Sequence, residues 1–246
     1  MRTSNILIIA AFIVGLTALL LHDSKLKAVY LSKSYLDPLN GFEAVNFKDF
    51  NAIDVNAGAT ANVKIVQGPY KVMIKKNQAN FIRLSQKNGH LAVDAEVYRK
   101  MPLADPYYEG YRVYISCPSL TSLTLNNTSK VDGKVETDSA TYDYFYSRKN
   151  IIHGFKQDSL TIVQDNGSYL IADSNTIGTL TVKMGESLNS SPNLLLRTGN
   201  NIRNAHIDIH NKSYLQLYAP IPNLEYTMDD SSKIYFTGAA NKMAKR

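Results

Sequence analysis

The sequence predicts an all-β solenoid, a stack of coils of about 20 residues each, preceded by an N-terminal transmembrane helix. Three observations predict it. The stretch from Thr3 to Leu21 carries no charged residue. From residue 44 onward apolar residues recur at a spacing of two, the signature of strands with one buried face. A six-residue window, polar at its start with serine fourth and an aliphatic sixth, recurs along the second half of the chain.

The uncharged run is 19 residues long. As a helix it spans roughly 28 Å, close to the hydrocarbon thickness of a bilayer. Its strongly apolar part, Ile6 to Leu21, is at or past the upper length of a secretory signal core. The run ends in Ala-Leu-Leu-Leu before His22 and Asp23, without the small-x-small pattern of a cleavage site. No cysteine follows it, which excludes a lipoprotein anchor. The favoured reading is an uncleaved single-pass anchor; a cleaved signal and a buried core helix are the alternatives. The count of Lys25, Lys27 and Lys33 against Arg2 favours a cytoplasmic main domain. The expected divisions are 1–22 (anchor or signal), 23–44 (juxtamembrane linker), 45–240 (β-solenoid) and 241–246 (basic tail). Within the linker, Leu26, Val29, Tyr30 and Lys33 suit a short helix ended by Asp37-Pro38.

Alternation then sets in: Ile53 and Val55, Val63 and Ile65, Val72 and Ile74, Leu91 to Val97, Val113 and Ile115. Gln67-Gly68-Pro69 between Val63–Val66 and Tyr70–Ile74 predicts a hairpin. Further on come the windows NNTSKV (126–131), DNGSYL (165–170), HNKSYL (210–215) and DDSSKI (229–234), with a degenerate KMGESL (183–188). Their serines, Ser129, Ser168, Ser187, Ser213 and Ser232, are separated by 39, 19, 26 and 19 residues. The first gap holds two units, with Ser147 near the missing one. Short strands flank each window, ending for example in Leu123-x-Leu125 and Leu180-x-Val182 upstream and starting at Leu170, Leu188 or Leu215 downstream. One such coil cannot bury its own apolar face, whereas stacked coils make a continuous column. The windows are the corners, where Asn, Asp and Ser bond the turning backbone. An antiparallel sandwich or meander is the competing reading, because turn signals every 8–12 residues suit it too.

Composition narrows the chemistry. A single cysteine, Cys117, excludes an intrachain disulfide framework and Cys-rich metal sites, and it reads as a buried structural thiol. The net charge of +6 is scattered; its densest clusters are Lys71, Lys75, Lys76 and the tail Lys242, Lys245, Arg246. No nucleic-acid reader module accompanies it. There is no G-x-S-x-G, Walker loop, dinucleotide fingerprint or H-E-x-x-H.

The stretches FKDFNAIDVNAGATANVKIVQG, KNGHLAVDAE and YRVYISCPSLTSLTLNNTSKVDG, with a second PNLEYTMDDSSKIYFTG unit, carry a resemblance. From about Phe47 to Gly238 the chain resembles the Bacteroidetes "putative auto-transporter adhesin, head GIN domain" family, although no Gly-Ile-Asn tripeptide occurs in it. The resemblance implies a right-handed parallel β-helix-like fold and an exported, envelope-associated protein. It transfers no site residues. It tips sidedness toward an inner-membrane anchor with the main domain in the periplasm, or export after signal cleavage.

Candidate chemistry is sparse. His206-x-Asp208-x-His210 places two imidazoles and a carboxylate on one strand face, a weak pattern for zinc or nickel and more simply a polar outer face. Asp229 with Asp230, or Asp138 with Asp143, are the carboxylate pairs a lyase or glycosidase would need, though their corner positions explain them as turn anchors. Tyrosine is abundant, 16 residues against 8 Phe and no Trp. Tyr142, Tyr144 and Tyr146 alternate and so share a strand face; they are the candidate ligand-binding residues. Tyr98, Tyr107, Tyr108, Tyr111 and Tyr114 form a second group. The expected function is a noncatalytic cell-envelope protein that presents a rigid solenoid for adhesion or for a glycan or protein partner, without cofactor or metal. The alternative is a carbohydrate-active enzyme on a β-helix.

Overall fold

The structure is a computed structural model of the chain and describes residues 3–33, 36–98, 110–138 and 149–243. The chain forms two compact units, Met1–Phe42 and Glu43–Arg246. The first is built on one helix, α1 (Thr3–Ser32), of 30 residues. Its stretch Asn5–Ser32, within which an 18-residue window reaches a mean hydropathy of 2.3, is long and apolar enough to cross a membrane, and none of it is buried. Thr17 donates its hydroxyl to the Ile13 carbonyl, so the polar group inside the apolar run is satisfied within the helix. Among the described residues no separate juxtamembrane helix forms. The residues 22–32 continue α1 without a break, because nothing between Leu21 and Ser32 stops a helix; Lys33, with φ 53°, ends it before Pro38 is reached.

The second unit is almost entirely β. Its strands are β1 (Phe42–Val45, straddling the boundary), β2 (Ala52–Val55), β3 (Val63–Gln67), β4 (Lys71–Lys75), β5 (Ile82–Lys87), β6 (His90–Val97), β7 (Val113–Cys117), β8 (Ser122–Leu125), β9 (Thr128–Val131) and β10 (Lys134–Thr137). They continue as β11 (Asn150–His153), β12 (Lys156–Gln164), β13 (Tyr169–Asp173), β14 (Thr176–Met184), β15 (Asn193–Leu196), β16 (Asn201–Ile209), β17 (Tyr214–Leu217), β18 (Asn223–Met228) and β19 (Lys233–Phe236). A single helical turn, α2 (Gly58–Ala61), lies between β2 and β3.

These strands make two open sheets. The first has nine strands in the order β1-β4-β7-β3-β11-β13-β15-β17-β19. The second has ten in the order β10-β9-β6-β2-β8-β12-β14-β16-β18, with β5 paired to β6. From β11 to β19 successive strands alternate between the sheets, and from β13 on each hydrogen-bonds in parallel to the strand two places before it. Leu160, Leu180, Ala205 and Leu224 therefore share one register position, at separations of 20, 25 and 19 residues. The parallel ladder lines up like with like. Ile53, Leu123, Ile162, Val182 and Ile207 form one inward column from the ten-stranded sheet. Ile65, Ile152, Ala172, Leu196 and Leu217 form one from the other. All are buried, and each large aliphatic so placed stabilises by about 1.5–3 kcal/mol.

Side chains satisfy the backbone where the chain passes between sheets. At one corner Asn175 accepts from the Phe155 amide and donates to the Ile152 carbonyl, while Asn200 accepts from the Asn175 amide and donates to the Ala172 carbonyl. At the opposite corner Gly185, with φ +76°, admits no Cβ: one would collide with the His210 carbonyl and the Ser213 hydroxyl.

Three local expectations are corrected. Val63–Val66 and Tyr70–Ile74 are not a hairpin, because β7 lies between β3 and β4, parallel to the first and antiparallel to the second. The Gly68 amide bonds to the Cys117 carbonyl and the Gln67 side chain to the Pro118 carbonyl, so the turn is tied to the end of β7. Leu188 does not start a strand; it is 85% exposed, and the strand that follows is β15, starting five residues later. Ser129 lies within β9, which pairs antiparallel with β10, and so is no corner serine. Ser168, Ser213 and Ser232 are equivalent, each buried immediately before β13, β17 and β19, whereas Pro192 holds that seat before β15 and Ser187 sits earlier in its corner. Ser147 lies outside the described residues.

Candidate binding face

Alternation along each strand of the nine-stranded sheet sends every second side chain outward. Because pairing is in register, outward residues line up in rows across the strands. One row carries Met73, Tyr114, Lys64, Ile151, Ile171, Leu195, Gln216 and Tyr235. A second carries Tyr169, Asn193, Tyr214 and Lys233. At the strand ends lie His153 and Asp173, with Arg197 one residue beyond β15.

Aromatic rings and cations interleave on this face. The Lys64 ammonium sits 5.4 Å from the centre of the Tyr111 ring, and that of Lys233 5.6 Å from the Tyr214 ring. The Tyr214 and Tyr235 rings are nearly parallel, with centroids 6.4 Å apart and planes inclined by 4°. Burial pushes the Tyr111 phenol above its ordinary range; Arg197 opposes this and Asp173 adds to it. Burial raises Tyr114 as well. Both therefore stay neutral hydrogen-bonding phenols at ordinary pH. Asp173 lies 3.6 Å from Arg197 and 3.9 Å from His153. Ile171 is buried on this outer face, recessed among its neighbours.

The outer face of the ten-stranded sheet is different in kind. His206 pairs with Glu225 at 2.9 Å, His210 with Asp208 at 2.9 Å, and His90 with Asp54 at 2.9 Å. Ile207 and Ile209 do point inward, and the two histidines face out, but each turns to its own carboxylate. Thr227 also donates to Asp208, which with the His210 bond keeps that carboxyl ionised below its ordinary pKa. Among the described residues no group of three or more His, Cys, Asp or Glu could hold a metal ion.

Of the carboxylates singled out as catalytic pairs, Asp229 is engaged in a corner. For Asp229 burial alone would raise the pKa, but bonds from Ser232, the Asn211 amide and Ser231 outweigh it and hold the carboxyl at about 2. Asp165, not singled out from sequence, plays the same part for Ser187 and Ser190 and is also lowered against the effect of burial. The backbone of Asp138 bonds to Asn127 and Gly167. Cys117 is buried, which pushes its thiol up to about 12.

Tyr142, Tyr144 and Tyr146 lie outside the described residues, as do Asp143, Tyr107 and Tyr108. Of the second tyrosine group, Tyr111 and Tyr114 belong to the face just described and Tyr98 is exposed after β6. Sequence reading missed Tyr169, Tyr214 and Tyr235 as a set. The signal was present in the repeated windows, where the residue after the buried serine is Tyr, Tyr or Lys and always faces outward.

No protein-family model matches the chain. No curated protein matches it. Among solved structures it is similar to a protein described as a putative adhesin from Parabacteroides distasonis ATCC 8503, at 12% identity, 80% coverage of this chain, 73% of that chain and a TM-score of 0.55. The fold is shared. A second protein described as a putative adhesin, from Bacteroides fragilis NCTC 9343, matches at 11% identity over 79% of this chain and 95% of its own, with a TM-score of 0.42. One described as a putative lipid binding protein from Parabacteroides distasonis ATCC 8503 matches at 11% identity over the same shares, 79% and 95%, with a TM-score of 0.26.

Proposed function

We propose that the chain is a noncatalytic cell-envelope protein, tethered to the inner membrane by α1, that presents a rigid right-handed parallel β-solenoid in the periplasm to a glycan or protein partner. In this reading residues 45–240 are the solenoid, 23–44 the link to the anchor and 241–246 a basic tail. The parallel alternation of strands between two sheets supports the coil reading. The shared fold of a protein described as a putative adhesin supports the adhesive one.

The observation that carries the proposal is the outer face of the nine-stranded sheet, where cations sit over tyrosine rings near β3 and β7 and again at β17 and β19. Tyrosine offers a flat apolar ring and a hydroxyl at small cost in side-chain entropy. Tyr142, Tyr144 and Tyr146 directly precede β11, a strand of this sheet, and the proposal assigns them to partner contact as well.

The test is binding of full-length protein to envelope glycan and protein fractions, with product analysis of every glycan. Replacing Tyr142, Tyr144 and Tyr146 together by alanine is expected to remove partner capture while circular dichroism stays unchanged. Hydrolysis or elimination products that disappear in an Asp-to-Asn series would overturn the proposal in favour of a carbohydrate-active enzyme. Protease digestion of the main domain in cells with a permeabilised outer membrane tests the periplasmic placement; protection from digestion contradicts it.

A further inference from the structure

We infer that the outer face of the nine-stranded sheet takes an acidic polysaccharide, a chain repeating carboxylates along its length, laid across the strands. The inference rests on the reading of the protein as a binding protein and names the class of partner.

Charge is the first argument. Lys71, Lys64, Arg197 and Lys233 stand on or at the edge of this face. Among the described residues no carboxylate forms an ion pair with Lys64, Lys71 or Lys233; the one acidic partner is Asp173, beside Arg197. Lys64 and Lys233 are steadied by ring faces instead. A ring face orients an ammonium without neutralising it. On the opposite sheet the outward carboxylates Asp54, Asp208 and Glu225 each face a histidine, and Lys183 stands among them. The outer face of the nine-stranded sheet thus presents four cations beside Asp173, a balance that favours an anionic partner.

Spacing is the second. In sheet order the four cations fall on β4, on β3, after β15 and on β19. Counted in strands, these steps are roughly 10, 14 and 10 Å. A small anion would need them convergent. Cations spread along the whole stack match a polymer with repeated charge.

The third concerns the apolar residues. Ile171 is buried between Ile151 and Leu195, which are half-buried, while Tyr235 is exposed. What projects is ring and hydroxyl, and the aliphatics are recessed. A bilayer surface calls for projecting aliphatic or aromatic wedges. Sugar rings instead stack on flat phenols and bond to their hydroxyls.

The experiment uses the full chain in neutral phosphatidylcholine nanodiscs, with polygalacturonate, dextran of matched length and phosphatidylglycerol vesicles as probes. Polygalacturonate is expected to bind, and dextran to bind at least about tenfold more weakly. The double variant Lys64→Gln with Lys233→Gln is expected to lower polygalacturonate affinity roughly tenfold, the sum of two exposed charge contacts. Tyr235→Ala is expected to weaken it too, while Lys183→Gln on the other sheet leaves it unchanged, with circular dichroism verifying the fold of each. Equal affinity for dextran, equal loss in Lys183→Gln, or stronger capture of the vesicles would overturn the inference. Tight dextran binding would do so while leaving the binding-protein reading intact, whereas cleavage of either polymer would sink that reading itself.

Discussion

Individual residues at the corners carry much of the specification. Gly185 holds φ +76° under the His210 carbonyl, so Gly185→Ala is expected to destabilise by about 2–4 kcal/mol in urea unfolding. Asp229 is held at about 2 by its serine and amide donors. A depressed carboxylate contributes stability that is present above its unfolded pKa of about 3.9 and is lost as pH falls through the folded value. Thermal midpoints of the wild type should therefore fall between about pH 4 and pH 2, and Asp229→Asn should lack that component. A variant whose acid profile matched the wild type would show that Asp229 contributes nothing. Cys117, pushed up to about 12 and buried, is expected to resist maleimide at pH 8 until the protein is unfolded. The corner windows were readable as turn chemistry. Which serine occupied the buried seat was not, because Ser168 and Ser187 look alike until the strands around them are paired.

Among the elements, strands with strict alternation were legible: β3, β4, β6, β7 and β14 follow the spacing of two. β15 was hidden because Leu194-Leu195-Leu196 is a continuous apolar run whose middle leucine faces outward. The false hairpin has a different origin. Local turn residues do not reveal that a strand more than 40 positions later will slot between the two arms. The continuous α1 shows the same limit from the other side, since charge alone does not end a helix. The corner asparagines define the joints between elements. Asn175→Ala leaves the Phe155 amide and the Ile152 carbonyl without that partner in a buried corner. A loss of about 1–3 kcal/mol in unfolding free energy is expected. A neutral result would mean that backbone pairing alone holds the corner.

Over the whole molecule, the pattern that matters for function emerges only from parallel registration. Tyr169, Tyr214 and Lys233 are far apart in sequence and become one row because each follows an equivalent buried serine. The registers also exclude an antiparallel meander from β11 to β19. The candidate face was not legible in the sequence, because residues far apart along the chain share it only once the strands are paired. The most direct test of the central claim is hydroxyl-radical footprinting of the full chain with and without the envelope fraction it binds. Tyr114, Tyr214 and Tyr235 are expected to become protected while His206 and Tyr226 keep their reactivity. Protection of His206 and Tyr226, with the three tyrosines unchanged, would contradict it.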